Sequence, residues 1–117
     1  RAAGVRVAVT RVGLPGPWGP GAGLVVYRIV QEALTNTLKH AGPGASAEVR
    51  LRYRHDGVDL EVVDDGAGRT ARERGGDRHG LTGMQQRATS YGGRAEAGPR
   101  RGPGWRVRAS LPIASEL

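Results

Sequence analysis

The chain has 117 residues, 38% of them hydrophobic, a net charge of +7 and no cysteine. That length suits one domain with a modest core, and the absence of Cys excludes disulfides and a Cys-based zinc site. No apolar run approaches the ~20 residues that cross a bilayer and no signal peptide opens the chain, so a soluble, cytoplasmic domain without membrane contact is expected; a start at Arg1 without Met suits a fragment of a longer protein.

Val5, Val7 and Val9 alternate with Arg6 and Ala8, which predicts a short first strand. Residues 13–23 are rich in Gly and Pro and read as a loop. A helix follows over roughly 23–41 and stops at Gly42-Pro43-Gly44, where a glycine cap precedes a residue that cannot continue it. At about 100° per residue, Glu32, Asn36, Lys39 and His40 share one stripe. Val26, Val30, Ala33, Leu34, Thr37 and Ala41 occupy the far side and can pack on a sheet. A solvated polar face would show the same stripe. So would a site for a metal-bound polyphosphate, because a carboxylate and an amide offer oxygens to Mg²⁺ while an ammonium and an imidazole offer donors to phosphate.

Next comes a hairpin: a strand over 46–54, a turn at His55-Asp56-Gly57 and a strand over 58–64. Outward Arg50 and Arg52 can pair across it with Asp59 and Glu61. Val58, Leu60 and Val62 lie on the core face, and a period of two puts Asp64 on that face as well. A carboxylate there needs a partner. It can cap the following turn through its own backbone, or accept a hydrogen bond from a buried ligand such as an exocyclic amine, with Gly66 and Gly68 letting the backbone approach that ligand. Asp65 points outward.

Residues 65–79 are rich in Gly and Arg and lack any aliphatic side chain larger than Ala, so they read as a mobile loop. A second helix over about 80–91 carries Leu81, Met84, Ala88 and Tyr91 as its apolar stripe and ends at Gly92-Gly93. Strands near 94–97 and over 105–111 flank a Gly/Pro/Arg turn, and the tail 112–117 is expected to fray. In 47–54 and 105–111 arginines alternate with apolar residues, the mark of a half-buried antiparallel sheet with a charged outer face. The aromatics do not interleave with those arginines as base-stacking platforms require, which argues against nucleic acid as a partner. Two helices over one face of a mixed, mainly antiparallel sheet make a two-layer α/β sandwich.

His79-Gly80-Leu81-Thr82-Gly83-Met84 runs from the loop into a helix N-terminus, where free amides and the helix dipole favour an anion. Bare Gly80 and Gly83 leave room for phosphate. The pattern is neither a P-loop nor a dinucleotide fingerprint.

Taken in order, Glu-x-x-x-Asn-x-x-Lys-His, Asp-x-Gly-x-Gly and Gly-Leu-x-Gly-Met closely resemble the ATP-binding domain of bacterial sensor histidine kinases. That domain is Bergerat-type and belongs to the GHKL superfamily with gyrase-type and chaperone ATPases. The wording of 27–41, with Gln86-Arg87 and Gly104-Trp105-Arg106-Val107, looks most like the subfamily typified by the nitrate-sensor and DesK kinases. The resemblance implies ATP and Mg²⁺ as cofactors. It implies that Asn36 ligates Mg²⁺, that Glu32 orients water or metal near the γ-phosphate, that Lys39 contacts phosphate oxygens and that His40 lies beside the nucleotide. Asp64 would bond the adenine amino group in a pocket shaped by Gly66 and Gly68. Residues 69–79, ending at His79, would form a lid, and the amides of Gly80, Leu81 and Gly83 would hold phosphates, with Thr82 in the same turn. The implied partners are a separate dimerisation and phosphoacceptor domain and, indirectly, a LuxR-type response regulator.

Arg69 stands where many relatives carry an aromatic residue. No phosphoacceptor helix is present: His40, His55 and His79 are the three histidines, and none has the sequence context of one. Two rival functions fit the same motifs. One is an anti-sigma-factor serine kinase; the other is a non-catalytic interaction domain that has lost its nucleotide.

Overall fold

The computed structural model describes residues 6–14, 21–40, 44–66, 79–90, 92–101 and 103–112, with side chains except at Ala22, 36–40 and 79–82. Among the described residues seven elements follow one another: β1 (Arg6–Val12), α1 (Ala22–His40), β2 (Ser46–Arg54), β3 (Gly57–Asp64), α2 (His79–Ser90), β4 (Arg94–Pro99) and β5 (Trp105–Pro112). The five strands form one sheet in the order β1-β2-β3-β5-β4. β1 runs parallel to β2 and the other three pairings are antiparallel. α1 lies over β2 and β3, α2 lies over β4 and β5, and the two helices touch. This is the expected mixed sheet covered on one face by helices.

Alternation decides which face is which. Val49 and Leu51 of β2, Val58, Leu60 and Val62 of β3, and Val107, Ala109 and Leu111 of β5 are all buried. They meet Val26, Ile29 and Ala33 from α1 and Met84 and Ala88 from α2. Burying the Val, Leu, Ile and Met side chains among them stabilises the fold by about 1.5–3 kcal/mol each. Ile29 is fully buried, although the sequence reading left it off the helix's apolar side. At about 100° per residue it lies roughly 60° from Val26 and about 40° beyond Ala33, on the side that leads to Glu32, so the buried stripe extends further that way than the chosen residues implied. Leu34 is only partly buried, against Ala45 and Ala47. Ala41 and Tyr91 lie outside the described residues.

The opposite face carries the charges. Arg50 pairs with Glu61 at 2.9 Å and with Glu48 at 2.8 Å, and Arg108 reaches Glu61 at 3.3 Å. The register sets Arg50 opposite Glu61 and Arg52 opposite Asp59, as the hairpin pattern predicts. Asp59, however, is bound at 3.1 Å by Arg54 and at 2.8 Å by the Ser110 hydroxyl rather than by Arg52. Val63 breaks the alternation: it points to this face yet is buried, between its register neighbours Glu48 and Arg106. The aliphatic stems of such long side chains cover apolar surface.

Element ends follow local chemistry. α1 opens with the Val25 amide bonded to the Gly21 carbonyl at 3.1 Å. α2 closes as the glycine pair predicts: the amides of Gly92 and Gly93 bond to the carbonyls of Thr89 and Ala88 at 2.9 Å, with Gly92 at φ 77°. That double bond is a Schellman cap. β1 is longer than its valine triplet suggested and reaches Val12, because parallel pairing with β2 continues to the Val12–Arg52 pair. All seven of its residues are exposed, as a sheet edge allows.

Candidate functional site

β3 delivers Asp64 to the helix-covered face. Its register partners are Ala47 and Trp105, both on the inward parity of their strands, and Asp64 is only 3% exposed. A buried carboxylate is tolerated only with hydrogen-bonding partners. One comes from the chain just beyond: Asp64 Oδ1 accepts from the Gly66 amide at 2.9 Å. Gly66 sits at φ 60°, a left-handed conformation that is costly for residues with a Cβ. The self-capping turn weighed for Asp-x-Gly is therefore present, and it coexists with the inward placement of the carboxyl group. Gly68 lies outside the described residues.

The neighbours of Asp64 hold it at backbone level. Asp65 is half-buried rather than free at the surface. Its Oδ1 accepts from the Ser46 amide at 2.9 Å, and its own amide donates to the Ser46 carbonyl at 3.0 Å. From the other side, Arg100 Nη1 donates to the Asp64 carbonyl at 2.9 Å. Gly104 closes over the same carbonyl: a Cβ there would fall 1.9 Å from Asp64 O, and its φ of +102° also favours glycine. The Arg100–Gly104 turn, read from sequence as a simple reversal, thus clamps the strand end that carries the acid. Arg100 was missed because nothing local links it to a residue 36 positions away.

The second wall is α1. Its backbone is helical through His40, so Glu32, Asn36, Lys39 and His40 fall on successive turns of one stripe. The side chains of the last three lie outside the described residues. Glu32 is half-buried, with 28% of its side chain exposed, and forms an ion pair with Arg87 of α2. Arg87 Nη1 also donates to the Gly83 carbonyl at 3.3 Å. A Cβ on Gly83 would come within 3.1 Å of Glu32 Oε2 and 3.3 Å of Arg87 Nη1. The bare surface of Gly83 therefore makes room for this ion pair, a use the sequence reading did not assign it.

The third wall is the start of α2. The helix begins at His79, so the amides of Gly80 and Leu81 fall in its first turn, where no intrahelical carbonyl accepts them. Side-chain positions of His79, Gly80, Leu81 and Thr82, and the expected lid residues before them, lie outside the described residues. Among the described residues no group of three or more His, Cys, Asp or Glu could hold a metal ion. Mg²⁺ needs only one or two protein oxygens and completes its shell with water and phosphate.

A separate concavity of about 720 Å³ lies on the helix-free face, lined by Arg50, Arg52, Asp59, Glu61, Arg94 and Arg108 among others. It shares no lining residue with the Asp64 end, and several of its charges are already paired. Among the described residues no helix is long and apolar enough to cross a membrane.

Comparison with known proteins bears on this arrangement. The family described as "Histidine kinase-, DNA gyrase B-, and HSP90-like ATPase" matches residues 21–115. The sensor histidine kinase LiaS of Bacillus subtilis (strain 168) is 33% identical over 91 residues, covering 78% of this chain and 25% of that protein. YxjM of the same organism, also a sensor histidine kinase, is 32% identical over 111 residues, covering 94% of this chain and 26% of that protein. The chain thus spans about a quarter of the length of these relatives. The histidine kinase domain of the blue-light activated kinase of Erythrobacter litoralis EL346 superimposes with a TM-score of 0.71. It is 22% identical and matches 97% of this chain and 53% of that one, a likeness of fold.

Proposed function

This chain belongs to the histidine kinase-, DNA gyrase B- and HSP90-like ATPase family, and from that premise we propose that it binds Mg²⁺-ATP and presents the γ-phosphate to a histidine on a separate dimerisation domain of a two-component sensor kinase. The observation that carries the reading is Asp64: a carboxyl group 3% exposed at the inner end of β3, fixed by backbone contacts from three directions. Asp64 accepts a hydrogen bond from the adenine amino group, and Gly66 and Gly68 shape the floor of the purine pocket. Asn36 would hold Mg²⁺, which would supply neutralisation of phosphate charge there. Glu32 orients water or metal near the γ-phosphate, Lys39 contacts phosphate oxygens, and His40 and His79 flank the nucleotide. The first-turn amides of α2 at Gly80 and Leu81, with Thr82 and Gly83 beside them, complete the phosphate end. Phosphoryl transfer depends mainly on positioning and charge neutralisation, which these groups can supply without a covalent protein intermediate.

Within the family, the wording of 27–41 and the Gly-Leu-x-Gly-Met-x-x-Arg run support the nitrate-sensor and DesK type, with a LuxR-type response regulator as the indirect partner. A cytoplasmic location for this domain fits a parent anchored in the membrane by segments elsewhere.

Calorimetric titration with a non-hydrolysable ATP analogue tests the reading. We expect binding that tightens when Mg²⁺ is added, and Asn36→Ala should abolish that tightening. No heat of binding would refute the nucleotide site. A Mg²⁺ effect that survives the substitution would move the metal to another ligand.

A further inference from the structure

An ion pair between Glu32 and Arg87 links the two helices that flank the proposed phosphate end. We infer that Arg87 is a positioning residue that fixes the Glu32 carboxylate for phosphoryl transfer; the inference rests on the reading of Glu32 given above.

Three observations support it. First, the Arg87 guanidinium is anchored twice through Nη1, to Glu32 Oε1 and to the carbonyl of Gly83 one turn back on its own helix. A guanidinium nitrogen shared between two acceptors has restricted rotamer freedom and can orient its partner. Second, Arg87 meets the carboxylate at Oε1, and the other oxygen is Oε2. That oxygen lies over the bare surface of Gly83, 3.1 Å from where a Cβ would stand. Gly83 and Arg87 thus work as one device, the glycine giving the carboxylate room and the arginine setting its angle. Third, a carboxylate beside a triphosphate is repelled by it. A guanidinium in contact cancels that charge, which permits an acidic group at the phosphate end at all.

A purely structural role is the rival explanation, and the energetics argue against it. The two side chains are 35% and 28% exposed, and ion pairs this accessible contribute little to folding. Removing Arg87 should therefore leave the protein folded.

The test is made in the full-length parent kinase, with Mg²⁺-ATP affinity and single-turnover histidine phosphorylation measured side by side. Arg87→Ala should slow phosphorylation about tenfold while changing nucleotide affinity less than about threefold, the signature of an interaction used in transfer rather than in binding. Arg87→Lys should recover part of the rate. Combining Arg87→Ala with Glu32→Gln should slow the reaction no more than about twofold beyond Glu32→Gln alone, because both act through one carboxylate. If Glu32→Gln is slow and Arg87→Ala is normal, the inference fails and the reading of Glu32 stands. If Glu32→Gln runs at the wild-type rate, both fail. Fully multiplicative effects, or a rise in the Mg²⁺-ATP dissociation constant above about tenfold for Arg87→Ala, would mean that Arg87 acts on phosphate directly and would overturn the positioning role.

Discussion

The two ends of the proposed nucleotide site are held by different kinds of bond. At the proposed purine end, Asp64 is placed by hydrogen bonds that each engage a main-chain atom: its own turn to Gly66, the Ser46–Asp65 bridge beside it and the Arg100 guanidinium on its carbonyl. At the phosphate end, Glu32 is placed by another side chain, Arg87, across a helix–helix contact. Backbone contacts resist displacement because several residues must move together. A half-exposed ion pair can break and re-form at little cost. The proposed base-reading group is thus held through the strand backbone, and the carboxylate at the proposed phosphate end through a single side chain. Substitutions at the first end should change stability and affinity, and those at the second should change rate.

That contrast can be broken in a defined order. The largest effect on folding is expected at Gly104, where an added Cβ would sit 1.9 Å from the Asp64 carbonyl on a backbone at φ +102°. Strain of this kind costs about 1–3 kcal/mol before the clash is counted. Gly104→Ala should therefore lower the denaturant midpoint clearly and weaken nucleotide binding in the same protein; a wild-type midpoint would show that the turn is not a clamp. Gly83→Ala sharpens the other side. Its Cβ meets the movable ends of Glu32 and Arg87 at 3.1 and 3.3 Å, and alanine is the better helix former by about 1 kcal/mol. Thermal unfolding should change by less than about 1 kcal/mol, and a loss as large as that of Gly104→Ala would erase the distinction.

The smallest effect belongs to the outer face, away from both ends. The hydrogen bond from Arg50, followed by that from the Thr10 hydroxyl, holds the Glu48 carboxyl below its usual range. A depressed carboxylate stabilises the fold above its ordinary pKa, and the contribution is lost as pH falls through the folded value. Glu48→Gln should thus be slightly less stable than wild type at pH 7. The difference should shrink as pH falls below about 4, the ordinary glutamate range, vanish once pH is below the depressed folded value, and be near the limit of detection throughout because the ion pair with Arg50 is solvent-accessible. A nucleotide affinity that followed this substitution would tie the outer face to the site.

How legible each end was in the sequence follows the same division. Asp64 could be placed because strand parity is strict: three apolar residues at alternate positions fix which way the fourth points. The Arg50–Glu61 pair followed from a two-stranded register set by one turn. Ile29 and Arg87 could not be read that way. A helix offers a continuous range of azimuths, and the angle at which α1 meets α2 decides whether a residue at the stripe's border is buried, exposed or paired. Arg100 was illegible for another reason, since its acceptor is a main-chain carbonyl and leaves no mark in residue type. The length of β1 depended on parallel pairing with β2, which follows from a crossover rather than a turn. For the motifs at 36–40 and 79–82 the structure shows the helical backbone of α1 and α2 that carries them.

The account rests most heavily on Asp64 as the group that reads the purine. The direct measurement is calorimetric titration of the wild-type chain and of Asp64→Asn with a non-hydrolysable ATP analogue in the presence of Mg²⁺, with circular dichroism on both. Asparagine keeps an oxygen that can cap the Gly66 amide, so the fold should persist. Loss of a buried, charged hydrogen-bond acceptor corresponds to about 1.5–3 kcal/mol, and the dissociation constant should rise roughly 10- to 100-fold. A folded variant that binds the analogue as tightly as wild type would contradict the assignment.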